Sequence, residues 1–178
     1  QLNKIEQAID TYSSKNIDMA IANIQSAETY LMNDLNQNRA EFSDNLYEYL
    51  KGEIKYGAKK ELFKYLLLDQ NDYLKRLVVT GNIPDKIAAH IAFEKNSVSE
   101  NMYKTEMYAE YVEFYLTFIM NAVNKEYTRY RPFDMDKFMV VMDEFPRASA
   151  YFYTANNLLS LENIAPFEDM IGRFLELF

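Results

Sequence analysis

One stretch of the chain, Glu106 to Val123, constrains the fold more than any other. Drawn as a helix that turns about 100° per residue, it gathers its polar side chains on one narrow strip. The members of this strip are Glu106, Glu110, Glu113, Thr117 and Asn121. Apolar and aromatic residues occupy the remaining arc of roughly 240°. A helix with so much apolar surface has to be surrounded by other elements, so we predict that it is the central helix of the fold.

Helix-breaking residues are rare in the rest of the chain as well. The 178 residues include four glycines and four prolines, whereas the strong helix formers Leu, Met, Ala, Glu and Lys are abundant. Apolar residues also recur at helical spacing along most of the sequence. We therefore predict one all-α domain, residues 1–178, of about seven or eight helices. They form a compact multi-helix bundle around a central aromatic-rich helix at about residues 99–127.

The first two amphipathic segments, at about residues 2–12 and 17–35, are joined by a short polar stretch. Together they predict a helical hairpin, and residues 1–36 are a candidate semi-independent N-terminal lobe. No second copy of this pattern recurs at a period of roughly 30 to 45 residues. A helical-repeat protein is therefore not predicted, because such arrays need about three repeats to be stable.

Glycine and proline predict where several helices end. Gly57 predicts a break or kink, followed by a helix over about residues 59–79, with an interruption at Asp69 to Asp72 as the alternative. Gly81 predicts a left-handed helix end, and Pro84 fits the first turn of the next helix. Pro132 predicts the end of the central helix, since the residue before a proline is pushed out of helical geometry.

Three tyrosines and a phenylalanine lie close together on the apolar arc of the central helix: Tyr108, Tyr111, Tyr115 and Phe118. A buried tyrosine hydroxyl needs a hydrogen-bond partner. The favoured interpretation is that the rings are buried while the hydroxyls reach solvent. A buried hydrogen-bond network and a ligand cavity are the two alternatives.

His90 is the only histidine of the chain. A di-iron bundle of the ferritin type needs two Glu-x-x-His pairs, and a three-histidine zinc site needs three histidines. One histidine excludes both. A metal held by His90 and Glu94, and a haem with His90 as axial ligand, are minor alternatives. We predict no metal ligand and no cofactor.

No set of catalytic residues is recognisable. The chain has no cysteine and hence no thiolate nucleophile or disulfide. The carboxylates of the central helix lie on its polar face, which is usually solvated. The segment GEIKYGAKK, residues 52–60, lacks the lysine and hydroxyl residue that follow the second glycine of a phosphate-binding loop. We predict no catalytic residue and favour a protein that is not an enzyme.

The formal charge of -8 argues against nucleic-acid or anionic-membrane partners. Lysines and tyrosines of residues 47–65 form the most nucleic-acid-like surface, but interspersed glutamates favour a solvated mixed face. No uncharged apolar run of about 18 residues is present, so no membrane span is predicted. The sequence predicts a soluble chain; its compartment is unknown, with the cytoplasm favoured.

Two functional hypotheses follow. The leading one is a non-enzymatic helical regulatory or protein-interaction domain that binds another protein or a second copy of itself. It depends on the abundance of Tyr, Met and Phe, which are enriched in interface cores. The alternative is a small-molecule sensor or carrier whose aromatic-lined pocket holds an apolar ligand. Its candidate ligand-binding residues are Tyr108, Tyr111, Tyr115 and Phe118, with haem on His90 as a variant.

Overall fold

A computed structural model describes residues 17–68, 72–91, 99–159 and 168–177. Within these ranges the regular structure is entirely helical, which confirms the all-α class. The predicted helix at about residues 2–12 lies outside them. The helices are α1 (Ile17–Gln37), α2 (Asp44–Leu68), α3 (Asp72–Thr80), α4 (Asp85–Ile91), α5 (Glu100–Tyr103), α6 (Glu106–Asn124), α7 (Met135–Glu144), α8 (Arg147–Leu159) and α9 (Glu168–Leu177). A short 3-10 helix, Arg39–Glu41, joins α1 to α2.

Two long helices, α2 and α6, pack along each other at the centre of the bundle. Helix α1 lies against α2, while α3 and α7 pack on α6. The α2–α6 interface buries Tyr56, Phe63 and Leu66 from one side and Tyr111 and Leu116 from the other. The wide apolar arc of α6 thus has neighbours around it, as the sequence predicted for the central helix.

The central helix is shorter than predicted at both ends. Thr105 separates α5 from α6, because its side-chain oxygen accepts the backbone N–H of Tyr108 at 3.1 Å and caps α6. At the other end Lys125 adopts a left-handed conformation with φ 52° directly after Asn124. The prediction that Pro132 ends this helix was wrong, since the helix stops well before that proline.

Of the break or kink predicted at Gly57, the break was wrong, because α2 runs through this residue without interruption. Its two glycines lie where other elements come close. A Cβ on Gly52 would stand 3.0 Å from the Cα of Met102, and one on Gly57 would stand 3.6 Å from Cγ of Met107. Gly81, in contrast, has the predicted positive φ of 67°.

Candidate binding cleft

The four aromatic residues predicted as a site join one packed aromatic cluster with Tyr56 and Phe63 of α2: Tyr108, Tyr111, Tyr115 and Phe118. Ring centroids lie 4.6 Å apart for Tyr56 and Tyr108, and 5.3 Å apart for Phe63 and Phe118. Several of the pairs are edge-to-face, which is a favourable geometry for aromatic rings. These rings therefore fill the space between α2 and α6 with one another.

The favoured interpretation, in which the tyrosine hydroxyls reach solvent, was wrong for Tyr108 and Tyr111, because both residues are buried. The hydroxyl of Tyr108 lies 2.5 Å from Oγ of Ser149, which is also buried. Burial raises the pKa of Tyr108, and the hydrogen bond to Ser149 opposes this. Tyr115 is partly buried, and burial together with the charge of Glu144 raises its pKa to about 12.

A cleft of about 530 Å³ opens beside this cluster, between α2, α5, α6 and α8. Its aromatic lining consists of Tyr103, Tyr108, Phe114, Phe152 and Tyr153. Its charged lining consists of Lys60, Lys64, Glu110 and Glu113. Of the four predicted aromatic residues, Tyr108 borders the cleft, whereas the other three lie in the cluster behind it.

Four charged residues of α2 and α6 form a chain of ion pairs along the cleft: Lys64, Glu61, Lys60 and Glu110. Successive nitrogen–oxygen distances along this ion-pair chain are 3.6, 3.1 and 2.9 Å. The inner Glu61 and Lys60 side chains are 2% and 7% exposed, while the outer Lys64 and Glu110 are 41% and 44% exposed. Burial by itself would lower the pKa of Lys60, but its bonds to Glu110 and Glu61 outweigh burial and raise it.

A second polar group, the Glu113 network, joins three helices at the cleft: Glu113 of α6, Lys137 of α7 and Tyr153 of α8. One carboxylate oxygen of Glu113 accepts from Nζ of Lys137, and the other accepts from the Tyr153 hydroxyl at 2.5 Å. Lys137 is fully buried and also donates to the backbone carbonyl of Arg131 at 2.8 Å. Burial lowers the pKa of Lys137, and the charge of Glu113 opposes this. Burial also raises the pKa of Tyr153, and Glu113 adds to that shift.

The polar strip of α6 is therefore covered along much of its length, contrary to the prediction of a solvated face. Thr117 and Asn121 are buried, and the side chain of Asn121 bonds to the chain beyond the helix. Its amide donates to the carbonyl of Thr128 at 2.7 Å, and its oxygen accepts from Nε of Arg131 at 3.2 Å. Of the strip, Glu106 is exposed and Glu110 is partly exposed.

Helix α8 forms one side of the cleft, but none of its residues was assigned to a site from the sequence. Ser149 and Tyr153 are four residues apart on one face of α8 and bond to Tyr108 and Glu113 of α6. A signal was present in the sequence of the neighbouring helix, where Lys137 interrupts the apolar face of α7. A lysine at such a position needs a buried acidic partner, and Glu113 of the predicted strip is that partner.

His90 lies apart from the tyrosines. It borders a separate cavity of about 150 Å³ between α1, α2 and α4. The side-chain nitrogen of Gln25 lies 2.9 Å from its Nε2. Small-molecule sites commonly measure roughly 300–1,000 Å³, so this cavity is small for a haem. Glu94 lies outside the described residues, and within them no three acidic or histidine side chains are grouped so as to hold a metal ion.

The lysines of α2 do not form one exposed basic face. Lys60 is buried in the ion-pair chain, and Lys51 lies 3.6 Å from Glu48. The pairing of lysines with glutamates agrees with the mixed face that the sequence favoured, but this face is not solvated throughout, since Lys60 and Glu61 are buried.

A further groove, of about 410 Å³, lies between α1 and α2. Its apolar lining includes Leu31, Leu35, Phe42, Leu50 and Ile54. Asp34 and Asn38 at its edge bond to each other, with the Asn38 amide 3.3 Å from the Asp34 carboxylate. The charged residues that line this groove, Asp34 and Glu53, are both acidic, whereas the lining of the cleft contains both lysines and glutamates.

Comparisons with known proteins give no match. No protein-family model fits this chain, no curated protein is significantly similar to it, and no solved structure matches it. In the described ranges, none of the helices combines the length and the apolar character needed to cross a bilayer.

Proposed function

We propose that this chain is a non-enzymatic helical interaction domain that binds a segment of another protein in the cleft between α2, α5, α6 and α8. The observation that carries the proposal is an open cleft that combines partly exposed aromatic rings with polar side chains. Phe152 is 36% exposed and its ring centroid lies 5.3 Å from that of Tyr103. Exposed aromatic rings of this kind are the usual anchors of protein interfaces.

The Asn156 side chain on α8 suits a peptide ligand. Asn156 lines the same cleft as Phe152 and is exposed, whereas the amide of the neighbouring Asn157 donates to the backbone carbonyl of Tyr153 at 2.9 Å. An amide carries both a donor and an acceptor, which matches the N–H and C=O groups of a peptide backbone. A protein segment would therefore find an apolar anchor, Phe152, and a backbone partner, Asn156, on one helix.

The polar residues of the cleft support a binding role better than a catalytic one. Ser149 hydrogen-bonds to Tyr108. The raised pKa of Tyr108 keeps its phenol protonated near neutral pH, so Tyr108 cannot act as the base that activates the serine. Both oxygens of Glu113 are held by donors from two other helices. These contacts fix the shape of the cleft.

A second candidate, a small-molecule sensor or carrier, is favoured by the size of the cleft. Its 530 Å³ falls within the range of roughly 300–1,000 Å³ that is common for ligand sites. Tyr111, Tyr115 and Phe118 pack among themselves and against α2, so such a ligand would contact Tyr108 and Phe152. A native mass spectrum of the purified protein with a retained ligand, lost on Phe152→Ala, is the result that this candidate predicts.

Selection from a random peptide display library tests the main proposal. Enriched peptides are expected to bind Phe152→Ala about tenfold more weakly than the unmodified protein, because an interface anchor has been removed. Leu159→Ala is the matched control, since Leu159 is an exposed apolar residue of the same helix outside the cleft lining. Failure to enrich peptides, or enriched peptides that ignore Phe152→Ala, would contradict the proposal.

A further inference from the structure

The two exposed ends of the ion-pair chain carry opposite charges that face the same cleft. Lys64 stands at one end and Glu110 at the other, and both line the cleft. Between them, Glu61 and Lys60 are buried and hold the outer groups in place through ion pairs. The cleft therefore presents one positive group and one negative group.

Both outer groups retain hydrogen-bonding capacity. Nζ of Lys64 lies 3.6 Å from Glu61, which is beyond hydrogen-bond distance, so its donors can reach an occupant. Glu110 uses one carboxylate oxygen for Lys60 at 2.9 Å and has a second oxygen to offer. An acidic group suits Lys64, and a basic group suits Glu110.

We infer that the protein segment bound in the cleft carries one acidic and one basic side chain, which pair with Lys64 and Glu110. This inference rests on the proposed function. An apolar side chain between the two charges would lie against the aromatic lining, which includes Phe114 and Phe152.

Charge balance favours such a dipolar segment over one of a single sign. The ion-pair chain holds two lysines and two glutamates and is neutral overall. A purely acidic segment would meet Glu110 with a like charge, and a purely basic one would meet Lys64 in the same way. The chain's net charge of -8 attracts basic groups at long range. The preference for an acidic side chain comes from the local positive charge of Lys64.

Binding of the peptides enriched by display measures this selectivity. Lys64→Gln and Glu110→Gln should each weaken the binding of the consensus peptide about two- to fivefold, the range of partly exposed ion pairs. Lys51→Gln and Glu48→Gln are matched controls and should leave it unchanged. They lie on α2 as an equivalent pair three residues apart, also at 3.6 Å, with side chains 36% and 33% exposed.

A charge exchange provides the stricter test. A peptide whose acidic and basic residues have been interchanged should bind the unmodified protein more weakly than the consensus peptide. It should regain affinity for the double variant Lys64→Glu/Glu110→Lys, provided that the melting temperature shows the variant to be folded. Should that variant not fold, the two glutamine variants carry the test.

The possible outcomes separate the inference from the proposed function. Peptides that require Phe152 but carry charges of one sign, or ignore both glutamine variants, would overturn the inference and leave the interaction domain standing. An absence of Phe152-dependent peptides would overturn both. Dimerisation of the chain that Phe152→Ala abolishes would identify a second copy as the occupant and would also overturn the inference.

Discussion

The hydroxyl of Tyr108 on α6 lies 2.5 Å from Oγ of Ser149 on α8, and both residues are buried. About one turn further along each helix, Glu113 of α6 accepts a hydrogen bond from Tyr153 of α8 at 2.5 Å. These two bonds span the cleft from one helix to the other. Together with the packing of α8 on α7 and α5, they set the width of the proposed binding site.

Removing either side of the Tyr108–Ser149 bond should destabilise the protein. Tyr108→Phe removes the hydrogen-bond partner of the buried Ser149 hydroxyl, which should cost about 1–2 kcal/mol of stability. Ser149→Ala removes the partner of the Tyr108 hydroxyl and should cost a similar amount. The double variant should lose less than the sum of the two, with a coupling of about 1 kcal/mol. Urea denaturation of the four proteins measures this. Strict additivity would show that the contact contributes nothing of its own.

The sequence predicted the position of α6 because its wide apolar arc is a local property of one segment. It did not predict the fate of the polar strip, since that depends on neighbours distant in the chain. Glu113 bonds to Lys137 and Tyr153, which are 24 and 40 residues away. Hydrophobic periodicity does not report such contacts.

Gly57 illustrates the same limit. Glycine predicts a weak point in a helix from backbone entropy alone, and the prediction of a break was wrong because α2 is held on several sides. Tyr108 was identified correctly as part of an aromatic group on α6, but which side of that group opens onto a cleft is decided by α8. Ligand binding by the four aromatic residues and His90 stays a prediction.

The Glu113 network should respond unequally to loss of its two charges. Glu113→Met leaves Lys137 as a fully buried cation without its counter-charge, and about 3 kcal/mol of stability should be lost. Lys137→Met leaves Glu113, whose side chain is 29% exposed and can turn toward water, so its cost should be about 1 kcal/mol. Chemical denaturation gives both values.

Glu126→Met is the control for this comparison, because Glu126 is an exposed partner of Arg131 at 3.8 Å. It should change stability by less than about 0.5 kcal/mol. A larger loss for Lys137→Met than for Glu113→Met would contradict the account in which the stranded buried lysine dominates.

The two glycines of α2 should respond in opposite directions to alanine. At Gly57 a Cβ meets the flexible side chain of Met107 at 3.6 Å, so Gly57→Ala should stabilise the protein by about 0.5–1 kcal/mol through helix propensity. At Gly52 a Cβ meets the backbone of Met102 at 3.0 Å, so α5 has to shift and the strain of about 1–3 kcal/mol outweighs that gain. Gly172→Ala, with open space around it, should stabilise like Gly57→Ala. Thermal melts that rank Gly52→Ala with the other two would contradict this packing argument.

Alkaline pH should destabilise the fold through its buried tyrosines. Burial raises the pKa values of Tyr108, Tyr115 and Tyr153, that of Tyr115 to about 12, so above pH 10 the unfolded chain loses phenolic protons that the folded protein keeps. The folded state then binds more protons, and its stability falls with rising pH by up to about 1.4 kcal/mol per unit for each such tyrosine. Lys137, whose pKa is lowered, acts in the opposite sense, because its folded form gives up a proton that the unfolded chain keeps up to about pH 10.5.

Denaturation curves between pH 9 and 12 measure this slope, and Tyr115→Phe should make it shallower above pH 10. Tyr30→Phe is the control, because Tyr30 is exposed on α1, and it should leave the slope unchanged. Absorbance of tyrosinate in the folded protein gives an independent check, since Tyr108 and Tyr153, the two more deeply buried phenols, should ionise only as the protein unfolds. If Tyr115→Phe and Tyr30→Phe alter the slope equally, the general charge of the chain, and not the buried phenols, governs its alkaline unfolding.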